Sequence, residues 1–420
     1  MIPAALKRLL PRTLLERYHF TLALLAAFVY GFPSRRMLVI GVTGTDGKTT
    51  VVHLLHDMLA ASGAAVGSLS SLRFKIGEKE EPNLLKMTMP GRFRLQRFLA
   101  ECRAAGCRYA VIEVTSQGIA QSRHRFIRFG AAILTNVTPE HIEAHGGFER
   151  YRAAKAELFR RLAPDGTAVL NREDPSAEYF AAAAPAEISW YSRSEIEVGH
   201  VGHPVRMHTV SPHRLVLEID GRLIEAGLGG EFNVMNVLAA AAAALALGVS
   251  LSAIASALVR ACAIAGRLEY VQEEPFAVVV DYANTPAAYR ALYRALGRDL
   301  ICVFGAPGGG RDTWKRPELG KIAAEFCRAI FLTSDDPDEE DPARIADAIR
   351  SGLAAAKLAA TEFIPDRRLA IRAALASARP GDTVIITGMG AQPWLVIGGK
   401  KIPWDDRKVV REELSALRHA

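Results

Sequence analysis

MLVIGVTGTDGKTT, residues Met37–Thr50, is the stretch whose reading decides the fold. Its apolar part, Leu38 to Val42, predicts a short buried strand. Gly41, Gly44 and Gly47 interrupt the pattern, and Lys48-Thr49-Thr50 follows. The next residues, Val51-Val52-His53-Leu54-Leu55-His56-Asp57-Met58-Leu59, have helical spacing. Strand, glycine loop, Lys-Thr and helix is the order that binds a nucleoside triphosphate. Glycines let backbone N–H groups turn inward around phosphate oxygens, and the helix N-terminus adds partial positive charge. Lys48 supplies a full charge, and the Thr49 hydroxyl can ligate Mg²⁺. The general pattern places its first glycine where this chain has Val42, so the loop is a variant with the right context on both sides. A plain strand-to-helix turn would not need Lys-Thr-Thr after three glycines.

A chain of 420 residues can bury a large core and has room for about two or three domains. Half the residues are hydrophobic and 23% are charged, which is ordinary for an α/β protein. The net charge of +7 suits anionic ligands such as nucleotides. No long Lys/Arg run with interleaved aromatics is present, which argues against nucleic acid as a partner. The five cysteines (Cys102, Cys107, Cys262, Cys302, Cys327) form no C-x-x-C pair. An odd number without metal spacing predicts reduced thiols and a cytoplasmic protein.

Residues 1–36 stand apart. Lys7, Arg8, Arg12 and Arg17 precede an apolar block, Phe20–Tyr30, and Arg35-Arg36 follows it. The block is shorter than the roughly 20 apolar residues that span a bilayer. A signal peptide would have the same charge pattern, but the nucleotide-binding strand follows at once. Two readings remain: a helix docked on the next domain, or a basic apolar helix resting on a membrane surface through residues 7–36.

After the loop, helical and apolar segments alternate. Phe93–Ala105 reads as a helix, Tyr109–Val114 as a strand with Glu113 near its end, and Gly130–Asn136 as another strand. Such alternation predicts a parallel sheet covered by helices, with ligand groups at the carboxyl ends of its strands. Residues 196–230 change to an alternating pattern around Asp220-Gly221, which predicts a small antiparallel hairpin region. Alanine-rich helices follow at Val234–Leu247 and Leu251–Ala263. A second α/β unit starts near Gly266, with strands at Phe276–Val280, Leu300–Phe304, Ala329–Thr333 and Thr383–Thr387. Each ends in a polar or glycine-rich stretch. The organisation expected is therefore a helical segment (1–36), a central nucleotide-binding domain (37–265) and a C-terminal Rossmann-like domain (266–420).

At this point separated motifs converge: GVTGTDGKTT (41–50), EVTSQGIAQSR (113–123), TNVTPEHIEAHG (135–146), YRAAKAELF (151–159), GEFNVMN (230–236), GRLE (266–269), DYANTP (281–286), GGGRDTWKRP (308–317), TSDDPD (333–338), GMGAQ (388–392) and IGGKKIPWDDR (397–407). In this order they resemble the Mur ligase family, most closely its MurE-type members, from about Leu38 to Leu414. The resemblance implies ATP-dependent amide formation in peptidoglycan biosynthesis. ATP phosphorylates a substrate carboxylate, and an amino acid's amine attacks the acyl phosphate.

The resemblance also implies roles. Gly44, Thr45, Asp46, Gly47, Lys48, Thr49 and Thr50 would cradle the phosphates, with Thr49 and Glu113 on one Mg²⁺. His141 would hold a second Mg²⁺ with Lys155, which matches the family lysine that is carbamylated. A bare ammonium beside Mg²⁺ would be repelled, so the carbamate is the chemically sensible form. Asn233, Asn236, Arg267, Asp281 and Asn284 would face ATP. Thr88, Thr115, Ser116 and Arg123 match positions that hold the peptide substrate, and Arg311 would take the amino acid's α-carboxylate. Either a monomer or a homo-oligomer is compatible.

Several positions depart from the family pattern. Residues 1–36 are too few for the uridine-binding domain that MurE-type members carry before the phosphate loop, which raises a lipid-linked or other acceptor. The Asp-Asn-Pro-Arg motif of diaminopimelate-adding members is Asp335-Asp336-Pro337-Asp338 here, and Gln392 replaces a glutamate. An aspartate binds an ammonium rather than a carboxylate, so lysine or ornithine is expected over diaminopimelate. The alternative is a solvated acidic loop. Asn284 stands for a histidine, Met89 for a threonine, and Asp46 for Asn or a similar residue beside the phosphates. Two other functions compete: a folylpolyglutamate-synthase-like ligase of the same fold, and an inactive nucleotide-binding partner of another ligase. Retention of Lys48, Glu113, His141 and Lys155 argues against the second.

Overall fold

The computed structural model describes residues 11–261 and 264–418. Lys7 and Arg8, Cys262 and the end of the second alanine-rich helix lie outside them. Strand Leu38–Thr43 sits inside a twelve-stranded sheet, paired in parallel with Tyr109–Glu113 on one side and Phe129–Leu134 on the other. The sheet's parallel part runs in the spatial order Val66–Leu69, Tyr109–Glu113, Leu38–Thr43, Phe129–Leu134, Leu162–Asn171, Glu187–Tyr191.

Side chains on a strand alternate between faces, and the core follows that rule. Ile40, Val42, Val111, Ala131 and Ile133 pack under helices Lys48–Ala61 and Glu231–Ala246. Val39, Ala110, Ile112, Ala132 and Leu134 pack under Arg92–Ala104 and Phe148–Arg160. The run Ala239–Ala244 is buried throughout, so its methyl groups let that helix approach Lys48–Ala61 closely. Both faces are thus covered, as the near-continuous apolar strands require.

The expected hairpin region is present but is not a separate piece. Glu195–Val198, Val201–Val210, Leu215–Ile219 and Arg222–Ala226 extend the same sheet antiparallel. Asp220 and Gly221 both take positive φ (52° and 74°) in the two-residue turn, the geometry a tight hairpin needs.

The second unit is a six-stranded sheet in the order Glu269–Gln272, Ala277–Asp281, Thr383–Thr387, Leu300–Phe304, Cys327–Leu332, Thr361–Phe363. All neighbours are parallel except the first pair. Strand and helix ends differ from the sequence expectation by a few residues, as hydrogen bonding rather than apolar pattern sets them.

The thiol expectation fails at one pair. Cys302 and Cys327 are disulfide-bonded, while Cys102 and Cys107 are free and buried. Leu300–Phe304 and Cys327–Leu332 are neighbouring parallel strands, so the sheet brings together two sulfurs whose spacing along the chain carries no signal.

Helix Arg12–Val29 docks on Arg92–Ala104. Ala23, Ala26 and Ala27 are buried against it, and Phe20 meets Phe126 edge-on. Leu14, Phe20, Leu24, Leu25, Phe28 and Val29 remain exposed. Among the described residues no helix is long and apolar enough to cross a membrane.

Candidate active site

The carboxyl ends of both sheets meet at one cavity of about 610 Å³. Strand register places its first components. Val42 lies opposite Glu113 and Thr43 opposite Leu134, so the glycine loop begins beside Glu113 and beside Thr135. The loop is braced from that neighbour: Thr45 N donates to Asn136 O (2.8 Å), Asp46 N to Asn136 Oδ1 (3.0 Å), and Thr135 Oγ1 to Asp46 O (2.7 Å). Two glycines are compulsory. A Cβ on Gly44 would lie 1.8 Å from Thr135 Oγ1, and one on Gly47 (φ 82°) would lie 2.1 Å from Asn236 Oδ1.

Lys48, Thr49 and Thr50 open the helix that follows. Lys48 Nζ donates to Gly44 O (3.2 Å) and Thr45 O (2.7 Å), curling over the loop. Burial lowers its pKa, and Glu113 and then Asp46 oppose the shift. Glu113 is 1% exposed, and its Oε1 accepts from Ser71 N at 3.2 Å. Burial raises its pKa, while Lys48 pulls it back. Thr49 Oγ1 is hydrogen-bonded to Ser71 Oγ at 2.8 Å and lies 3.5 Å from Arg267 Nη2. A buried carboxylate beside a hydroxyl at a phosphate loop is a donor set that fits Mg²⁺, a hard cation that takes few protein ligands.

Lys155 is fully buried rather than displayed on its helix. Its Nζ donates to Gly44 O at 2.6 Å and lies 4.5 Å from the Tyr151 ring centroid. Burial, and then the Lys48 charge, push its pKa well below the ordinary lysine range. An amine whose ammonium form is disfavoured in this way is the nucleophile that adds CO₂, so the site fits a carbamate. His141 caps a short helix with φ 54°. Burial and then Lys315 and Lys155 lower its pKa to about 3, which leaves the imidazole neutral and fit to ligate a metal.

From the second unit come Arg267, Asp281, Asn284, Arg311 and Lys315. Arg267 lies over the Tyr282 ring at 4.3 Å. Asp281 accepts from Leu268 N and Ala283 N, both at 2.6 Å, which pins the turn that presents Arg267. Asp46 is also accounted for: its Oδ2 accepts from Thr285 Oγ1 at 2.9 Å, a contact between the two units. Thr88, Thr115, Ser116 and Arg123 line the same cavity. Thr115 Oγ1 caps Gly118 N (3.0 Å), and Ser116 Oγ is hydrogen-bonded to His145 Nε2 (3.1 Å). Arg123 donates to Met89 O and to Gln121 Oε1, so it holds the loop that carries Thr88.

Two residues sit elsewhere than expected. Asn233 is not on the cavity wall: its Nδ2 donates to Gly229 O (2.6 Å), and its Oδ1 accepts from Asn236, so it positions Asn236 from behind. Asp338 is likewise off the wall. Its backbone N donates to Val396 O (3.2 Å), and its φ of 58° turns the chain there. The side chamber is lined instead by Asp335, Asp336, Arg311 and Gln392. Burial raises the Asp335 pKa to about 6.

Residues not singled out from the sequence complete the site. Lys86, on the loop before Thr88, donates to Asp336 Oδ2 and to Trp394 O (2.8 Å). Lys315 Nζ donates to Glu140 Oε1 at 2.8 Å and to Asn284 O at 3.0 Å. A lone Lys86 between Leu85 and Met87 carried no signal. Glu140, Asp312 and Lys315 fell inside quoted motifs, but only the meeting of two units shows their use.

Comparison with known proteins agrees with this geometry. The profile described as "Mur ligase middle domain" matches residues 42–244, and "Mur ligase, glutamate ligase domain" matches 266–390. A UDP-N-acetylmuramyl-tripeptide synthetase of Roseiflexus sp. is 40% identical over 94% of this chain and 82% of its own length. A UDP-N-acetylmuramoyl-L-alanyl-D-glutamate–2,6-diaminopimelate ligase of Gloeobacter violaceus is 40% identical over 95% of this chain and 81% of its own. The solved folylpolyglutamate synthase of Mycobacterium tuberculosis, complexed with ADP and AMPPCP, shares the fold: TM-score 0.70 at 19% identity, over 88% of this chain and 92% of that one.

Proposed function

Because this chain belongs to the Mur ligase family, we propose that it uses ATP to join an amino acid to the carboxylate of a muramyl-peptide precursor. The observation that carries this reading is the shared cavity. A phosphate loop, two candidate metal positions, a peptide-side wall (Thr88, Thr115, Ser116) and Arg311 face it, and the side chamber lined by Asp335 and Asp336 shares Thr88 and Arg311 with it. Both a carboxylate and the γ-phosphate are anionic, so bringing them together requires positive charge in a dry site. Lys48 holds the β/γ-phosphates, and Arg267 reaches in from the second unit as it closes. Thr49 and Glu113 would hold one Mg²⁺, and His141 with carbamylated Lys155 a second, which supply charge neutralisation for the transferring phosphoryl group. The carboxylate takes the γ-phosphoryl group as ADP leaves, and the amine then attacks the acyl carbon, forming the amide C–N bond as inorganic phosphate departs and the amine gives up a proton. Nucleotide and precursor as substrates assign the reaction to the cytoplasm.

The amino acid we assign is one with a side-chain ammonium, lysine or ornithine. The support is now Asp335 and Asp336 rather than Asp338. Lys86 already places an ammonium between the Asp336 carboxylate and the Trp394 carbonyl. The test is phosphate release from ATP and Mg²⁺ with UDP-muramoyl-Ala-Glu across a panel of amino acids. Release that needs both partners, greatest with lysine or ornithine, is expected. Preference for diaminopimelate would overturn the amino-acid assignment. No release with any amino acid would overturn the acceptor.

A specific observation favours a membrane-peripheral arrangement as well. Leu24, Leu25, Phe28 and Val29 are exposed on one docked helix, with exposed Arg17 earlier on that helix and exposed Arg35 and Arg36 shortly after it. Exposed apolar side chains with cations on either side in the chain suit an anionic bilayer surface.

A further inference from the structure

Glu140, His141 and Asp312 offer ligand atoms that all lie within 4.8 Å of one another. Two come from the first unit and one from the second. Glu140 is 6% exposed and Asp312 3%. In each carboxylate one oxygen is anchored and the other is not. Glu140 Oε1 accepts from Lys315 Nζ, and Asp312 Oδ1 from Glu143 N at 3.1 Å. Glu140 Oε2 and Asp312 Oδ2 are buried with no hydrogen-bond partner. Leaving a buried anionic oxygen unpaired is costly. Two of them beside the His141 ring make an oxygen–oxygen–nitrogen donor set. Metal-ligating carboxylates are commonly fixed in this way, with one oxygen held by an outer partner.

We propose that Glu140 Oε2, His141 and Asp312 Oδ2 bind one divalent cation that bridges the two units, with Asp312 as the ligand contributed across the interface. Closure completes the site, because Asp312 belongs to the second sheet's loops. The loop carrying it is already registered against the first unit: Glu143 Oε1 accepts from Thr313 N and Thr313 Oγ1, both at 2.9 Å. Lys315 does not displace the ion. Its ammonium is held on the Oε1 side, where it also donates to Asn284 O. The ion is the one the proposed reaction assigns to His141, so this inference rests on that reading for its catalytic meaning. Its existence is testable without any reaction.

Mn²⁺ is the probe, titrated by electron paramagnetic resonance into the full-length chain without nucleotide. A Glu113→Gln background removes the phosphate-side position. One bound Mn²⁺ is expected to remain, and adding Asp312→Asn is expected to weaken it at least ten-fold. Asp312→Glu should retain it. Small-angle scattering should show Mn²⁺ compacting the parent but not the Asp312→Asn protein. If Asp312→Asn melts early, Glu140→Gln carries the same expectation of weakened binding. Unchanged Mn²⁺ affinity in folded Asp312→Asn would overturn the bridge while leaving the ligase reading intact. Absence of any Mn²⁺ in the Glu113→Gln protein would overturn the site itself. Failure of the ligase reading shows separately, as no phosphate release.

Discussion

Lys155 illustrates how a residue's surroundings decide its chemistry. On an isolated amphipathic helix it would be a solvated ammonium. Here it is 2% exposed and faces the Lys48 charge, so its pKa lies well below 10.5. The sign is definite: burial and the Lys48 charge disfavour the ammonium, so the neutral amine gains ground as pH rises and protonation returns as pH falls through the lowered pKa. Carbon-13 NMR of protein equilibrated with labelled bicarbonate should show one carbamate signal at neutral pH. Lys155→Ala should lose that signal and on the order of 10²-fold in turnover. A signal that survives the substitution would assign the carbamate elsewhere. Asp46 makes a similar point. It stands for Asn or a similar residue beside the phosphate loop, and its carboxylate accepts a hydrogen bond from Thr285 on the other unit.

At the scale of elements, two features invite measurement. Arg367 opens helix Arg367–Ala376, and its guanidinium and the Asp406 carboxylate are both completely buried, paired at 2.7 Å. Thr387 O accepts from the same Arg367 nitrogen at 2.8 Å, and Trp404 Nε1 donates to Asp406 Oδ1 at 2.8 Å. Removing one partner leaves a buried charge uncompensated, at a cost of about 3–5 kcal/mol. Arg367→Met should therefore lower the urea midpoint of the second unit, followed through Trp404 fluorescence. An unchanged midpoint would show that the pair is not stabilising. The second feature is helix Arg12–Val29. Leu24→Ser combined with Phe28→Ser should abolish co-sedimentation with phosphatidylglycerol vesicles while leaving ATP binding unchanged. If the parent chain stays in the supernatant, the face does not meet a membrane.

At the scale of the molecule, the loop before Thr88 is tied to the second unit through Lys86, whose partners are 250 and 308 residues away in the chain. An incoming ammonium would compete with Lys86 for Asp336. Lys86→Met should then lower the KM for lysine several-fold with little change in the KM for ATP. A raised KM for lysine would mean that Lys86 helps to bind the substrate rather than occupying its place.

Much of this was legible beforehand because local rules carry it. Apolar strands, the glycine loop, Lys-Thr and the helix after them are specified within about twenty residues by period, backbone freedom and charge. The twelve-stranded continuity of the first sheet was not legible, since pairing joins segments far apart in the chain. Asn233 behind Asn236, and Asp338 outside the side chamber, show the same limit on single residues: a motif specifies which residue is present, not which way the fold turns it. The Cys302–Cys327 bond depended on strand adjacency.

By itself, then, the sequence determined two α/β units, a phosphate loop in the first, and the family to which they belong. Those properties reside in short stretches whose physics is complete locally. Only the tertiary structure decided which charges meet: Glu140 with Lys315, Asp46 with Thr285, Lys86 with Asp336, and Asp312 beside His141. Each of these joins the two units, and electrostatic and coordination energies depend on separations of a few ångströms that no spacing along a chain encodes.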